Sequence, residues 1–166
     1  MVPREEVYRH IIQLLNASGA EYHLFEHRAA LTYEDLALVQ AEAGFVGTEG
    51  KCLVMKAEDA FIVYVTLQGQ KVDFAKVAET VGVKKVRLAT AEELGQNFGA
   101  EPGCAYPFGF SDSVNIFVDP EIYNREWFLF SPLYPTKTVQ VRGENLKQVF
   151  SILKNKVVET SNFNKV

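Results

Sequence analysis

The sequence predicts an α+β domain, a mixed, largely antiparallel, barrel-like sheet with helices packed outside it. Three observations lead there. Helical and strand-like segments interleave along the chain, which argues against an all-helical or all-β layout. Two pairs of strand-like segments, 51–56 with 60–67 and 127–130 with 136–142, are too close together for a crossover helix, so each must pair antiparallel. The chain has 166 residues, 48% of them hydrophobic and 23% charged, as expected of one compact globular domain. A chain of this size buries roughly 70% of its unfolded surface and needs no metal or disulfide staple. We read residues 1–166 as a single domain, with 155–166 as a polar, frayed tail.

The elements follow in order. Pro3 suits a first helical turn, Val7, Ile11, Leu14 and Leu15 recur at helical spacing, and Gly19 supplies a stop. Tyr22–His27 alternates like a short strand. Thr32-Tyr33-Glu34-Asp35 is a capping signature for a helix with Leu36, Val39 and Ala43 on one face. Glycines 44, 47 and 50 break that pattern and lead into Lys51. Lys51–Lys56 and Ala60–Leu67 are rich in β-branched and aromatic residues, and the turn at 57–59 makes them a hairpin. Asp73 caps a helix carrying Phe74, Val77 and Val81. A strand follows at Lys85–Ala89, then a helix opened by Thr90 and Glu93. Gly99–Gly109, with three glycines and two prolines, is loop. Strands at Val114–Val118, Trp127–Phe130 and Thr136–Arg142 precede an amphipathic helix over Glu144–Lys154. Period-two patterning predicts Leu53, Ile62, Val65, Leu88, Ile116 and Phe128 in the core.

Composition removes several function classes. The acidic start, Met1-Val2-Pro3-Arg4-Glu5-Glu6, has no apolar core behind it, so no signal peptide is expected. The longest strongly apolar run, Ala60–Leu67, is far too short to span a bilayer. We therefore expect a cytoplasmic protein with no membrane partner. Cys52 and Cys104 are the only cysteines and lie in no zinc-like cluster, so we expect no metal and no cofactor. A net charge of −4 argues against gripping long stretches of nucleic acid.

There is no phosphate-binding loop, dinucleotide fingerprint or paired-histidine zinc motif. What remains is a loop and a lysine. Glu101-Pro102-Gly103-Cys104-Ala105-Tyr106-Pro107-Phe108-Gly109 combines glycine freedom with proline stiffness, so several backbone N–H groups could converge on a carbonyl oxygen. A plain surface connection is the alternative. Lys51 opens a strand just after Gly50, where a solvated strand end is the ordinary reading. Cys104 could be a nucleophile served by His23 or His27, or a small packing residue. Lys84-Lys85-Val86-Arg87 could meet a phosphate or simply charge a strand edge.

These residues resemble the YbaK/ProX family of aminoacyl-tRNA deacylases, which also occurs as an insertion in bacterial prolyl-tRNA synthetases. The likeness runs from about Tyr22 to Leu153. It rests on Gly103-Cys104-Ala105-Tyr106-Pro107 followed by Phe108-Gly109, and on the Lys-x-Leu-Val strand at Lys51. Supporting elements are Glu26-His27 before Thr32–Asp35, the Val72-Asp73 helix entry, and Ala89–Leu94. The resemblance implies the family's editing-domain fold and hydrolysis of the ester joining a wrong, small amino acid to the tRNA 3′ end. It implies that Lys51 holds the 3′-terminal adenosine or its phosphate. Gly103, Cys104, Ala105 and Pro107 would form the loop whose N–H groups bind the ester carbonyl. His27, Tyr106, Phe108, Gly109, Ser131, Tyr134 and Thr136 are the expected substrate-binding residues, and the partners are the aminoacyl-tRNA acceptor end and a synthetase. The chain departs from the family where many alanine-specific relatives carry His-Pro and later Asn-Thr: it has Ser131-Pro132 and Pro135-Thr136. Specificity is therefore open among alanine, cysteine, serine and threonine. Two other readings stand beside this one, a non-catalytic tRNA-end or synthetase-binding module and a Cys104-dependent hydrolase of a non-RNA substrate.

Overall fold

The computed structural model describes residues 2–166. Met1, the first residue of the acidic start and of the expected domain, lies outside the described residues. Helix α1 (Arg4–Ser18) buries Ile11 and Leu15 and stops at Gly19, whose left-handed φ of 74° suits a residue without a Cβ. Strand β1 (Tyr22–Glu26) leads to α2 (Tyr33–Ala43), where the Thr32 hydroxyl accepts from Asp35 N at 3.0 Å. Leu36 and Val39 face the core, but Ala43, expected on that face, is exposed.

Strands β2 (Thr48–Ala57) and β3 (Ala60–Leu67) form the expected antiparallel hairpin. The strand begins three residues earlier than the glycines suggested. Gly50 does not break it, because it pairs with Leu67 inside the ladder. A side chain there would run into the Phe128 ring, so glycine serves close packing at this point. Helix α3 (Phe74–Val81) is capped by Asp73, which accepts from Ala75 N and Lys76 N. After β4 (Val86–Leu88), α4 (Ala91–Phe98) opens with the reciprocal Thr90–Glu93 capping box. The loop then runs to β5 (Asn115–Val118), followed by β6 (Trp127–Phe130) and β7 (Lys137–Arg142). The last helix, α5 (Leu146–Ser151), is shorter than the 144–154 expected, with a 3₁₀ turn over Gly143–Asn145 before it.

The sheet runs β1-β7-β6-β2-β3-β5 and ends on one further strand, with β4 set against β2. That last strand is β8 (Val157–Glu159), which pairs parallel with β5. The frayed-tail expectation is therefore corrected. Polar composition hid a strand and an anchor: Phe163 is fully buried, and Asn164 donates to Asp119 Oδ2 at 2.9 Å and accepts from Tyr64 at 2.9 Å. The pairs β1–β7, β6–β7, β2–β3 and β2–β4 are antiparallel, while β2–β6, β3–β5 and β5–β8 are parallel. The sheet is thus mixed and mostly antiparallel, with helices outside it, as expected.

β3 is buried on both faces. Val63, Val65 and Leu67 pack into the cluster beneath α1 and α5, while Ile62 and Tyr64 pack toward α3 and Phe163. Leu36 and Val39 of α2 close a third cluster over Leu129. Of the expected core, Ile62, Val65, Ile116 and Phe128 are buried. Leu53 is half-buried, and Leu88 is 49% exposed because β4 is a three-residue strand beside β2 with only one pairing partner.

Candidate active site

β2 carries the site because of how its outer edge is paired. That edge meets β6 only at Thr48–Glu49 and β4 only at Met55–Ala57. Between them lies a stretch of strand without a ladder partner on that side. Val54 O accepts from Ala89 N there at 2.9 Å, and Gly50 O accepts from the Tyr33 hydroxyl at 3.4 Å. Backbone alternation then turns the N–H and C=O of Cys52 the same way, toward open space. A partly open cavity of about 200 Å³ occupies this gap. Its walls come from β2 (Glu49 to Leu53), from Leu31 and α2 (Tyr33, Leu36), from the glycine-proline loop (Gly103, Ala105), and from Phe130 and Ser131 at the end of β6.

Lys51 lines the cavity with its ammonium tied down, donating to the Gln70 carbonyl at 2.5 Å. Partial burial lowers its pKa. Gly103 sits at φ 89°, and a Cβ there would lie 3.2 Å from the Leu31 carbonyl oxygen. Backbone geometry and space together favour glycine. The N–H groups of Gly103 and Ala105 have no hydrogen-bond acceptor among the described residues. The Cys104 N–H is spent on Glu101 O at 3.0 Å, so it is not the free donor expected of it. Its side chain is fully buried and does not line the cavity. Burial first, and the Glu101 carboxylate second, push its thiol up to about 11, against a thiolate nucleophile.

Lys51, Gly103, Ala105 and Ser131 therefore come together, and the other expected residues lie elsewhere. Tyr106 and Phe108 are core residues. Tyr106 donates to Phe98 O at 2.8 Å and stacks on Phe110, while Phe108 packs edge-on to Phe130. Pro107 is buried behind the loop, and Gly109 turns against Ile11 of α1. Tyr134 packs against α1, edge-on to Tyr8 and under Arg4, with its hydroxyl on Glu5 at 2.9 Å. Thr136 is exposed, and its carbonyl accepts from His27 N. His27 is a clamp between strands: Nδ1–H donates to Arg28 O at 2.7 Å, and Nε2 lies 2.7 Å from Thr138 Oγ1. Tyr106, Phe108 and Gly109 adjoin Gly103 in sequence, and Tyr134 and Thr136 lie close to Ser131, yet none of them lines the cavity.

The sequence reading missed Glu49, although it lies two residues before Lys51 on the same strand. It is 9% exposed, and its Oε1 is shut off from solvent without a hydrogen-bond partner. Burial pushes its carboxyl up to about 7. Among the described residues there is no salt bridge to it or to Lys51. Cys52 also borders the cavity, and burial raises its thiol pKa. A second groove, of about 700 Å³, lies further along β2 and gathers Lys56, Lys84, Lys85 and Arg87 around Phe74. Arg87 is held by Glu93 at 2.7 Å, and Lys56 sits over the Phe61 ring. The described residues contain no cluster of three or more metal-ligating side chains and no helix long and apolar enough to cross a membrane.

A family model described as an aminoacyl-tRNA editing domain matches residues 27–149. The chain is 34% identical over 85 residues to a proline–tRNA ligase of Bacillus pumilus, a match covering 49% of this chain but only 15% of the ligase. It is 24% identical over 122 residues to the multifunctional Ser/Thr-tRNA deacylase ProXp-y of Escherichia coli, covering 71% of this chain and 72% of that protein. Among solved structures, a candidate trans-editing enzyme for prolyl tRNA synthetase superposes with a TM-score of 0.70 at 20% identity, covering 96% of this chain and 97% of that one.

Proposed function

This chain belongs to the aminoacyl-tRNA editing domain family, and from that premise we propose that it is a deacylase hydrolysing the ester of a tRNA mischarged with a small amino acid. The observation that carries the reading is the cavity at the open edge of β2, lined by Lys51, Ser131, and Gly103 and Ala105, whose backbone N–H groups have no acceptor among the described residues. In this scheme Lys51 leaves the Gln70 carbonyl and binds the terminal adenosine or its phosphate, a charged hydrogen bond worth roughly 1.5–3 kcal/mol. The Gly103 and Ala105 N–H groups polarise the ester carbonyl. Water adds to the carbonyl carbon, and these donors stabilise the oxyanion that forms. Collapse then expels the ribose 3′ oxygen, which takes the proton released by water. Free amino acid and tRNA leave.

A cavity of this size suits a small side chain, and Ser131 gives its wall a hydroxyl. Serine and threonine, the amino acids in the name of the Escherichia coli relative, are the first to test, followed by alanine. The basic groove along β2 is the natural place for acceptor-strand phosphates, because Lys84 and Lys85 form no salt bridge among the described residues. A synthetase that delivers the charged tRNA is the expected protein partner. The burial and raised pKa of Cys104 speak against the cysteine-dependent alternative.

The test is single-turnover deacylation of seryl-, threonyl-, alanyl- and cysteinyl-tRNA. Cleavage of at least one well above the spontaneous rate is expected. Failure on every member, with folded protein, would leave only a binding module.

A further inference from the structure

Among the residues around the cavity, Glu49 is the only carboxylate, and nothing in the scheme above uses it. Two facts make it unusual. It is about nine-tenths buried, and its Oε1 has neither solvent nor a hydrogen-bond donor. Buried carboxylates ordinarily recover their lost hydration from a partner, and one left without a partner is costly. A partner supplied by the substrate would repay that cost only when substrate is bound. An aminoacyl ester brings one cationic group, the α-ammonium, next to the carbonyl that the loop is proposed to hold.

Resting on the deacylase reading, we propose that Glu49 is the residue that recognises the α-ammonium of the aminoacyl group. The other titratable groups around the cavity are Tyr33 on α2 and Lys51 and Cys52 on β2. Burial raises the pKa of Tyr33, to about 12, and that of Cys52, so both stay neutral near neutral pH. The Lys51 ammonium is engaged by Gln70 O. Glu49 is therefore the only side chain among the lining residues that can bring a negative charge to the substrate's ammonium. The assignment also gives the site a way to favour free aminoacyl esters over acyl groups that lack the amine. Because the Glu49 carboxyl is pushed up to about 7, recognition should strengthen as pH rises through that value and weaken once the ammonium loses its own proton.

The experiment uses whichever of seryl-, threonyl- or alanyl-tRNA the wild-type protein cleaves fastest. Its comparison substrate is the same tRNA carrying the matching α-hydroxy acid, made by nitrous acid deamination. Wild type should cleave the amino ester about 10- to 100-fold faster than the hydroxy ester, after correction for their spontaneous rates, as expected for one lost charged contact. Glu49→Gln should bring that ratio close to one, mainly by slowing the amino ester. In wild type the ratio should rise between about pH 5.5 and about pH 7.5. This second readout needs no variant, so a poorly folding Glu49→Gln would not shield the proposal. A wild-type ratio near one, an unchanged ratio in Glu49→Gln, or equal loss on both esters would each overturn the assignment and leave the deacylase reading intact. No cleavage of any ester by folded wild type would instead sink the deacylase reading on which it rests.

Discussion

At Lys51 one side chain borders the cavity while its ammonium is bound to the protein's own Gln70 carbonyl. That contact is worth roughly 1.5–3 kcal/mol at most, less than the roughly 5–15 kcal/mol by which a domain is stable, whereas a charged contact made to substrate governs rate. Lys51→Ala should stay folded yet lose roughly 10- to 100-fold in single-turnover deacylation. Cys104→Ala should remain within a few-fold, because its buried thiol does not line the cavity. A folded but inactive Cys104→Ala would restore the nucleophile reading. Glu49 has a consequence for stability as well. Its folded carboxyl, pushed up to about 7, lies above its unfolded value of roughly 4.3, so between those pH values the native state holds a proton that the unfolded chain has released. Stability from this group is full below the lower value and is lost as pH rises toward the upper one. Glu49→Gln should therefore be more stable than wild type by about 1–3 kcal/mol at about pH 8, and nearly equal to it at about pH 4. Urea melts at the two pH values measure this, and an equal difference at both would show that the carboxyl is not desolvated.

At the scale of elements, β2 and the C-terminal strand show how pairing allocates roles. β2 changes partners along its length, from β6 to β4 on one edge, and the unpaired interval becomes the cavity wall. β8 does the reverse, covering the edge of β5 with three residues and delivering Phe163 to the cluster under α3. Its anchorage runs through Asp119, which accepts from Thr66 at 2.7 Å and from Asn164 at 2.9 Å. A tail with these contacts is part of the fold. Phe163→Ala should cost about 3–5 kcal/mol of unfolding free energy, the range for emptying a buried aromatic site. Loss under about 1 kcal/mol in a denaturant melt would mean that the segment is dispensable.

For the molecule as a whole, the net charge of −4 coexists with a local concentration of lysine at Lys56 of β2 and at Lys84 and Lys85 just before β4. Such a protein should bind tRNA weakly and locally, with about three phosphates neutralised. The slope of log K against log salt should then be about −2 to −3. Lys84→Ala with Lys85→Ala should make that slope shallower by about one to two. Filter binding or anisotropy across a salt series provides the measurement. A slope near zero, or one unchanged in the double variant, would move the RNA path elsewhere.

The sequence by itself determined the local signals: three capped helices at Thr32, Asp73 and Thr90, the 51–67 hairpin, the β6–β7 pairing, and a glycine-proline loop matched to a lysine-led strand. Each depends on residues close in the chain, where caps, alternation and short turns leave few alternatives. Only the tertiary structure decided which of the candidate residues share a cavity. Gly103 and Ala105 border it while Cys104 and Tyr106 between and beside them do not, because successive residues of a loop can face opposite ways. Ser131 reaches the cavity from the end of β6, but Tyr134, three residues on, turns to α1. The mostly polar segment 155–166 reads as a frayed tail because a parallel pairing to β5 leaves no local signature in composition. Glu49 escaped for the same reason. An acidic residue two places from a lysine looks like a solvated strand end until the folded chain buries it beside the cavity and removes its water.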